Sequence, residues 1–316
     1  NNVASTFSQI FNFNQILNKF DANIIIISYA NKTINFRKLY NIKKEKIILF
    51  VHDQWLTEGF RHFDLDFPKE NNFIKKFINF FRKKFINNNI KSITKNKKVE
   101  ILTSSKWLSN EFKKTFIKKN EIGFFYNFVD HNFWKKNDAI NYKKKLNFNN
   151  ESFNILFVAK NGIENFRKGG DLILKINKVL QNYDNVNFIL LGQYKKLKHK
   201  NIYSFSSRNE EIVRDLFCAC DVNLTLSRSD NMPYSILESM SCGLPNISRN
   251  VGGISEVIDH KEDGLLINEN SVDEIVNAIL WIKDKNNYKY LSSKSRLKII
   301  EKFSFDVAFK NFKEKI

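Results

Sequence analysis

A chain of 316 residues is about twice the length of an ordinary domain, so two domains of similar size are the first expectation. Hydrophobic residues make up 42% of it and phenylalanine alone supplies 31, which excludes a disordered polymer; no apolar run approaches the ~18–20 residues of a membrane span. The formal charge of +19 is lopsided: residues 1–150 hold 28 Lys and Arg against 12 Asp and Glu, a net +16, whereas residues 151–316 hold 24 against 21, a net +3. An anionic partner for the first half, a membrane surface or nucleic acid, competes here with the codon bias of an AT-rich genome. Cys218, Cys220 and Cys242 are odd in number and no histidine is spaced to complete a zinc site with them. They read as buried small apolar residues in a reducing compartment. With no apolar leader at the start, a cytoplasmic location is expected.

In chain order, Ile24 to Tyr29 and Lys46 to Val51 read as strands. The first glycine is Gly59, late for a doubly wound domain, and about 60–90 residues of two earlier βα units are expected to precede Asn1. Asp64 and Asp66 form a loop carboxylate pair of a kind that can bind a divalent metal, but such pairs are ordinarily just solvated, and no metal is expected there. Phe73, Phe77, Phe81 and Phe85 follow at four-residue steps, with Lys75, Lys76, Arg82 and Lys83 on other faces. That helix, Phe73 to Ile86, suits either a core or an anionic membrane interface. Val99 to Ser104 and Ile122 to Tyr126 are further strands, and the lysine-rich run from Lys135 to Glu151 reads as a linker. From there strands and amphipathic helices alternate. Phe153 to Lys160, Val186 to Gly192, Val222 to Ser227 and Leu265 to Asn268 are expected strands; Gly170 to Leu180, Glu210 to Ala219, Ser235 to Ser241 and Val272 to Lys283 are expected helices. This is the pattern of βαβ units on a parallel sheet.

The densest segment runs from Asp221 to Leu266. After the strand ending at Ser227 comes the loop Arg228-Ser229-Asp230-Asn231-Met232-Pro233, then a helix starting near Tyr234 with Pro233 as its first residue. Asp230 and Glu238 are placed to face a common cleft at the carboxyl end of the sheet, where open α/β sheets bind ligands. The amides of Tyr234 and Ser235 at the helix start suit an anion such as a diphosphate, and an ionised Glu238 can accept two hydrogen bonds from a diol. The plain alternatives are a turn-capping Asp230, a surface Glu238, a structural His52, and a simple turn at Gly252 and Gly253, where two glycines would also let backbone approach a ligand closely.

The stretch Ser-Arg-Ser-Asp-Asn-Met-Pro-Tyr-Ser-Ile-Leu-Glu-Ser-Met-Ser-Cys-Gly-Leu-Pro (227–245), followed by Asn-Val-Gly-Gly-Ile-Ser-Glu-Val-Ile (250–258) and Asp-Gly-Leu-Leu-Ile (263–267), resembles the C-terminal signature of glycosyltransferase family 4. In that family a Glu, seven residues and a second Glu form the hallmark; here Asp230 holds the first position and Glu238 the second. Val158-Ala159-Lys160 with Arg167-Lys168-Gly169 resembles the family's basic loop, Lys168 being the better match and Arg167 a candidate solvated cation. Phe50-Val51-His52-Asp53-Gln54-Trp55, Ser105-Lys106-Trp107-Leu108 and Asn127-Phe128-Val129-Asp130 fit in order, the last more often reading Asn-Gly-x-Asp.

The resemblance implies an α/β chain of two Rossmann-like domains facing each other across a cleft, the GT-B fold. Residues 1–147 would be the acceptor domain, 148–302 the donor domain, and 303–316 would cross back to the first. It implies retaining transfer from a nucleotide-sugar donor, a UDP-sugar, to a glycan or lipid-linked acceptor in cell-surface polysaccharide or glycoconjugate synthesis. His52, Asp230 and Lys168 would be catalytic. Lys160, Lys168, Asn231, Met232, Tyr234, Ser235, Glu238, Gly252 and Gly253 would bind the donor, with Glu238 on the ribose. No cofactor and no metal are implied, and no motif supports nucleic acid as a partner; an anionic membrane surface stays a candidate, placing the protein at the inner face of the cell membrane. Asp230 and Phe128 motivate an alternative, a GT-B binding subunit of weak or no activity.

Overall fold

The structure is a computed structural model that describes residues 21–28, 44–58, 122–137, 140–268 and 271–314, and within 80–115 all but 82, 83, 85, 89, 94, 96 and 97. The chain divides into two compact units, Asn1–Tyr126 and Asn127–Ile316.

In the first unit four strands, β1 (Ile24–Ser28), β2 (Lys46–Val51), β3 (Val99–Thr103) and β4 (Ile122–Phe124), lie in sequence order and all pair in parallel. Ile47, Ile48 and Leu49 are buried in succession because a parallel sheet is covered on both faces. Helix α1 (Trp55–Glu58) supplies Trp55 and Leu56 to the core, and α2 (Lys106–Thr115) supplies Leu108 and Phe112. The Ser105 hydroxyl caps α2 by accepting from the Leu108 amide at 3.0 Å. Of the expected Phe73 to Ile86 helix, residues 73–79, 82, 83 and 85 lie outside the described residues, as do Asp64 and Asp66. Among the described residues of this segment, 80, 81, 84 and 86 are helical. Ile86 and Ile93 are buried, whereas Phe80 and Phe81 are 63% and 50% exposed.

The second unit begins with α3 (Tyr142–Lys145), followed by β5 (Phe153–Val158), α4 (Gly170–Leu180), β6 (Val186–Leu191) and β7 (Ile202–Phe205). Next come α5 (Glu210–Ala219), β8 (Val222–Thr225), α6 (Tyr234–Ser241), β9 (Asn246–Arg249) and β10 (Leu265–Ile267). The chain then closes with α7 (Val272–Lys283), α8 (Lys285–Lys298), a π-turn at Ile299–Phe303 and α9 (Phe305–Lys313). The strand order is β10-β9-β8-β5-β6-β7, every pairing parallel. This doubly wound order reverses direction between β5 and β8. Ile155, Phe157, Phe188, Leu190, Val222, Leu224 and Ile247 form one core face, covered by Leu172, Ile173 and Ile176 of α4 and Ile275 and Ile279 of α7.

Both units are therefore α/β with parallel sheets, as expected, but details differ. Apart from β2, and from β1, whose expected last residue Tyr29 lies outside the described residues, the expected strands end one or two residues early at their carboxyl ends, where the backbone leaves the ladder to build loops. The units divide at Tyr126/Asn127 rather than at 147/148, because the segment read as a linker is bonded to the second unit. Lys143 pairs with Asp221 at 2.9 Å, Lys145 with Asp215 at 2.5 Å, and the Trp134 carbonyl accepts from the Ser241 hydroxyl at 2.6 Å. The C-terminal segment groups with the second unit too. It is tied to Val129, whose amide donates to the Phe303 carbonyl at 2.9 Å and whose carbonyl accepts from the Phe305 amide at 3.2 Å.

One buried cation closes this unit. Lys298, 7% exposed, places its ammonium 2.8 Å from both Asp259 and Asp263. Burial pushes the Asp263 carboxyl above its ordinary range, so Lys298 is what keeps a charge tolerable there. Lys298→Met is expected to cost about 3–5 kcal/mol by leaving Asp263 uncompensated, and adding Asp263→Asn to recover part of it. Urea midpoints of the three proteins measure this; a Lys298→Met midpoint at the wild-type value would refute it.

Candidate functional site

Where a parallel sheet reverses order, the loops leaving the two adjacent strands turn to opposite faces and leave a crevice at the carboxyl ends. Here those are the loop after β5, residues 159–169, and the loop after β8, residues 226–233. Lys168 comes from the first and Asp230 from the second, and the Lys168 ammonium donates directly to Asp230 Oδ2. The Ser227 hydroxyl donates to the same oxygen at 3.0 Å, and Arg167 Nη1 lies 3.9 Å from it. Arg167, read from sequence as solvated, in fact donates to the Ser229 carbonyl at 2.9 Å.

Several interactions hold these loops in register. The Arg228 guanidinium forms a two-pronged pair with Asp171, at 2.6 and 2.8 Å, donates to the Phe166 carbonyl, and stacks 3.9 Å over the Phe166 ring. It holds the Asp171 carboxyl below its usual range. The Arg228 amide donates to the Arg167 carbonyl at 2.7 Å. At Gly169, φ is 81°, and a Cβ there would collide with Leu226. A third loop, after β9, joins them: Gly252 has φ 61° and lies against the Asp230 carbonyl, while the Gly253 amide donates to the Asn231 carbonyl at 3.0 Å. The two glycines thus serve close approach of backbone to backbone.

Asn231 and Met232 are buried. The Met232 carbonyl accepts from Asn127 Nδ2 at 2.9 Å, and the Asn127 carbonyl oxygen of the side chain accepts from the Tyr234 hydroxyl at 3.4 Å. Pro233, at φ −69° and ψ 132°, precedes α6 as its N-cap rather than forming its first residue, and its own side chain makes no capping bond. Phe128, where the family more often has glycine, has its ring edge-on to Phe305 at 5.7 Å. Tyr234 is exposed, Ser235 and Glu238 are half-buried, and Lys160 is exposed just beyond β5. Glu238 lies on the second turn of α6. Burial, with a smaller contribution from the charge of Glu210, pushes its carboxyl up to about 7. The helix that carries it is fixed to the sheet through Ser239, which accepts from Asn246 Nδ2 at 2.9 Å and from Asn223 Nδ2 at 3.3 Å.

The second unit thus gathers Lys160, Lys168, Asp230, Asn231, Met232, Tyr234, Ser235, Glu238, Gly252 and Gly253 onto the carboxyl-end loops and the start of α6. His52 belongs to the first unit, one residue past β2, with Nε2 2.9 Å from the Ser28 hydroxyl and its ring edge-on to Phe50 at 4.6 Å. Ser227, Arg228 and Asn127 are participants that sequence reasoning did not single out. Arg228 and Asp171 stand 57 positions apart, so no local spacing could reveal their pairing. Among the described residues no group of three or more His, Cys, Asp or Glu side chains is arranged to hold a metal.

Residues 138–301, just over half of the chain, match the family described as glycosyl transferases group 1. The chain is 28% identical over 194 residues to N-acetyl-alpha-D-glucosaminyl L-malate synthase of Bacillus anthracis, covering 56% of this chain and 49% of that protein. It is 31% identical over 105 residues to an Escherichia coli UDP-Gal:alpha-D-GlcNAc-diphosphoundecaprenol alpha-1,3-galactosyltransferase, covering 33% and 27%. The matches thus span half or less of these curated relatives. Among solved structures, HepE of Anabaena in complex with UDP-glucose superposes with a TM-score of 0.68 at 16% identity, over 93% of this chain and 78% of that one. The sucrose-phosphate synthase of Thermosynechococcus elongatus gives 0.75 at 13%, over 96% and 75%. At such identities the superpositions speak for the fold, which is GT-B. The chain belongs to the glycosyl transferases group 1 family.

Proposed function

We propose that this protein is a retaining, metal-independent glycosyltransferase of family 4, moving a sugar from a nucleotide-sugar donor, a UDP-sugar, to a glycan or lipid-linked acceptor in cell-surface polysaccharide or glycoconjugate synthesis. The observation that carries the reading is the Lys168–Asp230 pair at the β5/β8 reversal, built into the strand-loop-helix segment that bears Glu238. The UDP donor is supported by HepE, similar in fold and solved with UDP-glucose, and by the Escherichia coli relative, whose name specifies UDP-Gal.

In this reading Glu238 takes the ribose diol, and Lys168, aided by Lys160 and the α6 N-terminus, takes the diphosphate. Asn231, Met232, Tyr234, Ser235, Gly252 and Gly253 line the donor, while Asp230 and His52 act on the donor sugar. As the bond from the sugar's anomeric carbon to the diphosphate breaks, charge grows on the leaving oxygen. The Lys168 ammonium then exchanges Asp230 for that oxygen, a preorganised cation where charge develops. The acceptor oxygen bonds to the same face of the sugar, and its proton passes to a donor phosphate oxygen. An inactive binding subunit would keep donor affinity without turnover. The first unit is assigned an anionic membrane partner, from its charge and from exposed Phe80 and Phe81. Location at the inner face of the cell membrane follows from that reading, and among the described residues no helix is long and apolar enough to cross a membrane.

A thermal-shift screen of nucleotide sugars tests donor binding, since a ligand at 100 times its Kd stabilises by about 2.7 kcal/mol. Glu238→Ala is expected to weaken UDP binding by about 1.5–3 kcal/mol, one to two decades, with the fold retained. Calorimetry returning wild-type affinity would remove Glu238 from the ribose. Lys168→Ala is expected to slow transfer ~100-fold, and wild-type transfer to persist in EDTA; activity lost in EDTA and restored by manganese would overturn the metal-independent mechanism.

Glu238 also fixes a pH dependence. Its folded pKa, about 7 against an ordinary 4.5, is raised, so its stabilising contribution is complete below pH 4.5 and lost as pH rises through 7. Glu238→Gln, which cannot ionise, is expected to match wild type near pH 4.5 and to exceed it at pH 8 by on the order of 1–3 kcal/mol. UDP, which needs the ionised carboxylate, should bind more tightly at pH 8 than at pH 6. Denaturation midpoints and calorimetry check both, and parallel profiles for the two proteins would refute the assignment.

A further inference from the structure

The net charge of the second half is concentrated in one place. Residues 194–200 read Tyr-Lys-Lys-Leu-Lys-His-Lys, four lysines and no acid; without them residues 151–316 would hold 20 Lys and Arg against 21 Asp and Glu. A genome-wide preference for lysine would spread cations through both halves, and does not produce one cationic loop in a stretch, 151–316, that is otherwise close to neutral. The loop leaves β6 at the carboxyl end of the sheet and, because β6 and the edge strand β7 are parallel, runs back to the amino end of β7.

Its base is anchored. Gln193 is buried, accepts from the Ile163 amide at 3.0 Å and donates to the Lys195 carbonyl at 3.1 Å. Leu197 packs on the hydrophobic core. Between and beyond these anchors Tyr194, Lys195, Lys196, Lys198, His199 and Lys200 are all exposed, Tyr194 by 60%. Among the described residues only Lys195 of these forms an ion pair, with Glu164 at 3.7 Å, itself exposed. The fold thus exposes four ammonium groups and an aromatic ring along one loop at the sheet edge.

We propose that this loop, 194–200, docks the second unit on an anionic lipid bilayer, its lysines against the headgroups and Tyr194 at the interface. A flat charged surface can be met by an exposed edge loop, and tyrosine next to lysine in the sequence suits the headgroup level. Single-stranded nucleic acid fits less well, because it is held in a groove by successive stacking rings, and this loop has one. The inference does not rest on the proposed transferase activity, nor on the cations of the first unit.

The test is co-sedimentation of the full chain with vesicles of phosphatidylglycerol and phosphatidylcholine, and with phosphatidylcholine alone, at low and high salt. Wild type is expected to bind only the anionic vesicles, and to be released by salt. Replacing Lys195, Lys196, Lys198 and Lys200 by Glu is expected to weaken binding about tenfold or more. The same exchange at Lys283, Lys285, Lys289 and Lys294, also in the second unit, is expected to change it by less than about threefold, which separates the loop from net charge. Unchanged melting temperature and unchanged UDP-sugar thermal shift in the loop variant show that fold and donor site are intact. Wild-type failure to bind, equal losses in the two variants, or loop-dependent binding of poly(U) tighter than of vesicles would each overturn the proposal.

Discussion

The pairing of β5 with β8, Ile155 beside Val222 and Leu156 beside Asn223, is the constraint on which the second unit depends. The two strands are neighbours in space but are separated in sequence by two strands and two helices. Because every connection in a parallel sheet must cross over a face, chain leaving β5 goes one way and chain leaving β8 the other. The gap between their carboxyl ends is a consequence of topology before any side chain is chosen. Lys168 and Asp230 span that gap, one from each lip, and Arg228 with Asp171 ties the lips together just behind them. Charge at the reversal is thus held by the loops themselves.

The helix that carries Glu238 is positioned differently, through a polar layer inside the core. Ser239, Asn223 and Asn246 bond to one another, and Asn154 accepts from the Ser152 hydroxyl at 2.8 Å and donates to the Ala219 carbonyl at 3.1 Å. Buried polar groups contribute little net stability, but Ser239 meets Asn223 and Asn246 at one register only, so sliding α6 along the sheet would break both bonds. The contacts of Leu and Ile penalise such a slide far less. Directional bonds therefore set where Glu238 stands, while the apolar face of the sheet provides the bulk of the burial.

This division explains what the sequence made legible. The helices at Gly170–Leu180, Glu210–Ala219 and Val272–Lys283 have unbroken apolar stripes and, for the last two, Asn209 and Ser271 as caps, so their bounds were readable. Strand β9, Asn-Ile-Ser-Arg, was not, because two of its three buried residues, Asn246 and Ser248, are polar and bond to Asn223 and Thr225, 23 positions earlier. Strand β7 is a short edge strand with Tyr203 turned outward, and carries little periodicity. The attachment of the lysine-rich run to the second unit was hidden for a related reason: Asp221 and Asp215, the partners of Lys143 and Lys145, lie more than sixty positions on. Within the site, the order of Asp230, Glu238 and the two glycines was visible as a motif, whereas the partner of each was not. Motif order records which groups are present, and only folding brings lysine to aspartate.

Gly252 shows how tightly these groups are geared. With no Cβ between them, the backbone of the loop after β9 rests directly on the Asp230 carbonyl, and one hydrogen bond from Gly253 to Asn231 locks the contact. Two loops that leave different strands therefore move as a single body. Bulk added at 252 would not merely remove a contact; it would push Asp230 bodily along its own loop, and Lys168 with it. Natural variation at this glycine would then be read out at a charge on the opposite lip of the crevice, so positions 252 and 230 are expected to drift together through evolution, as two ends of one lever.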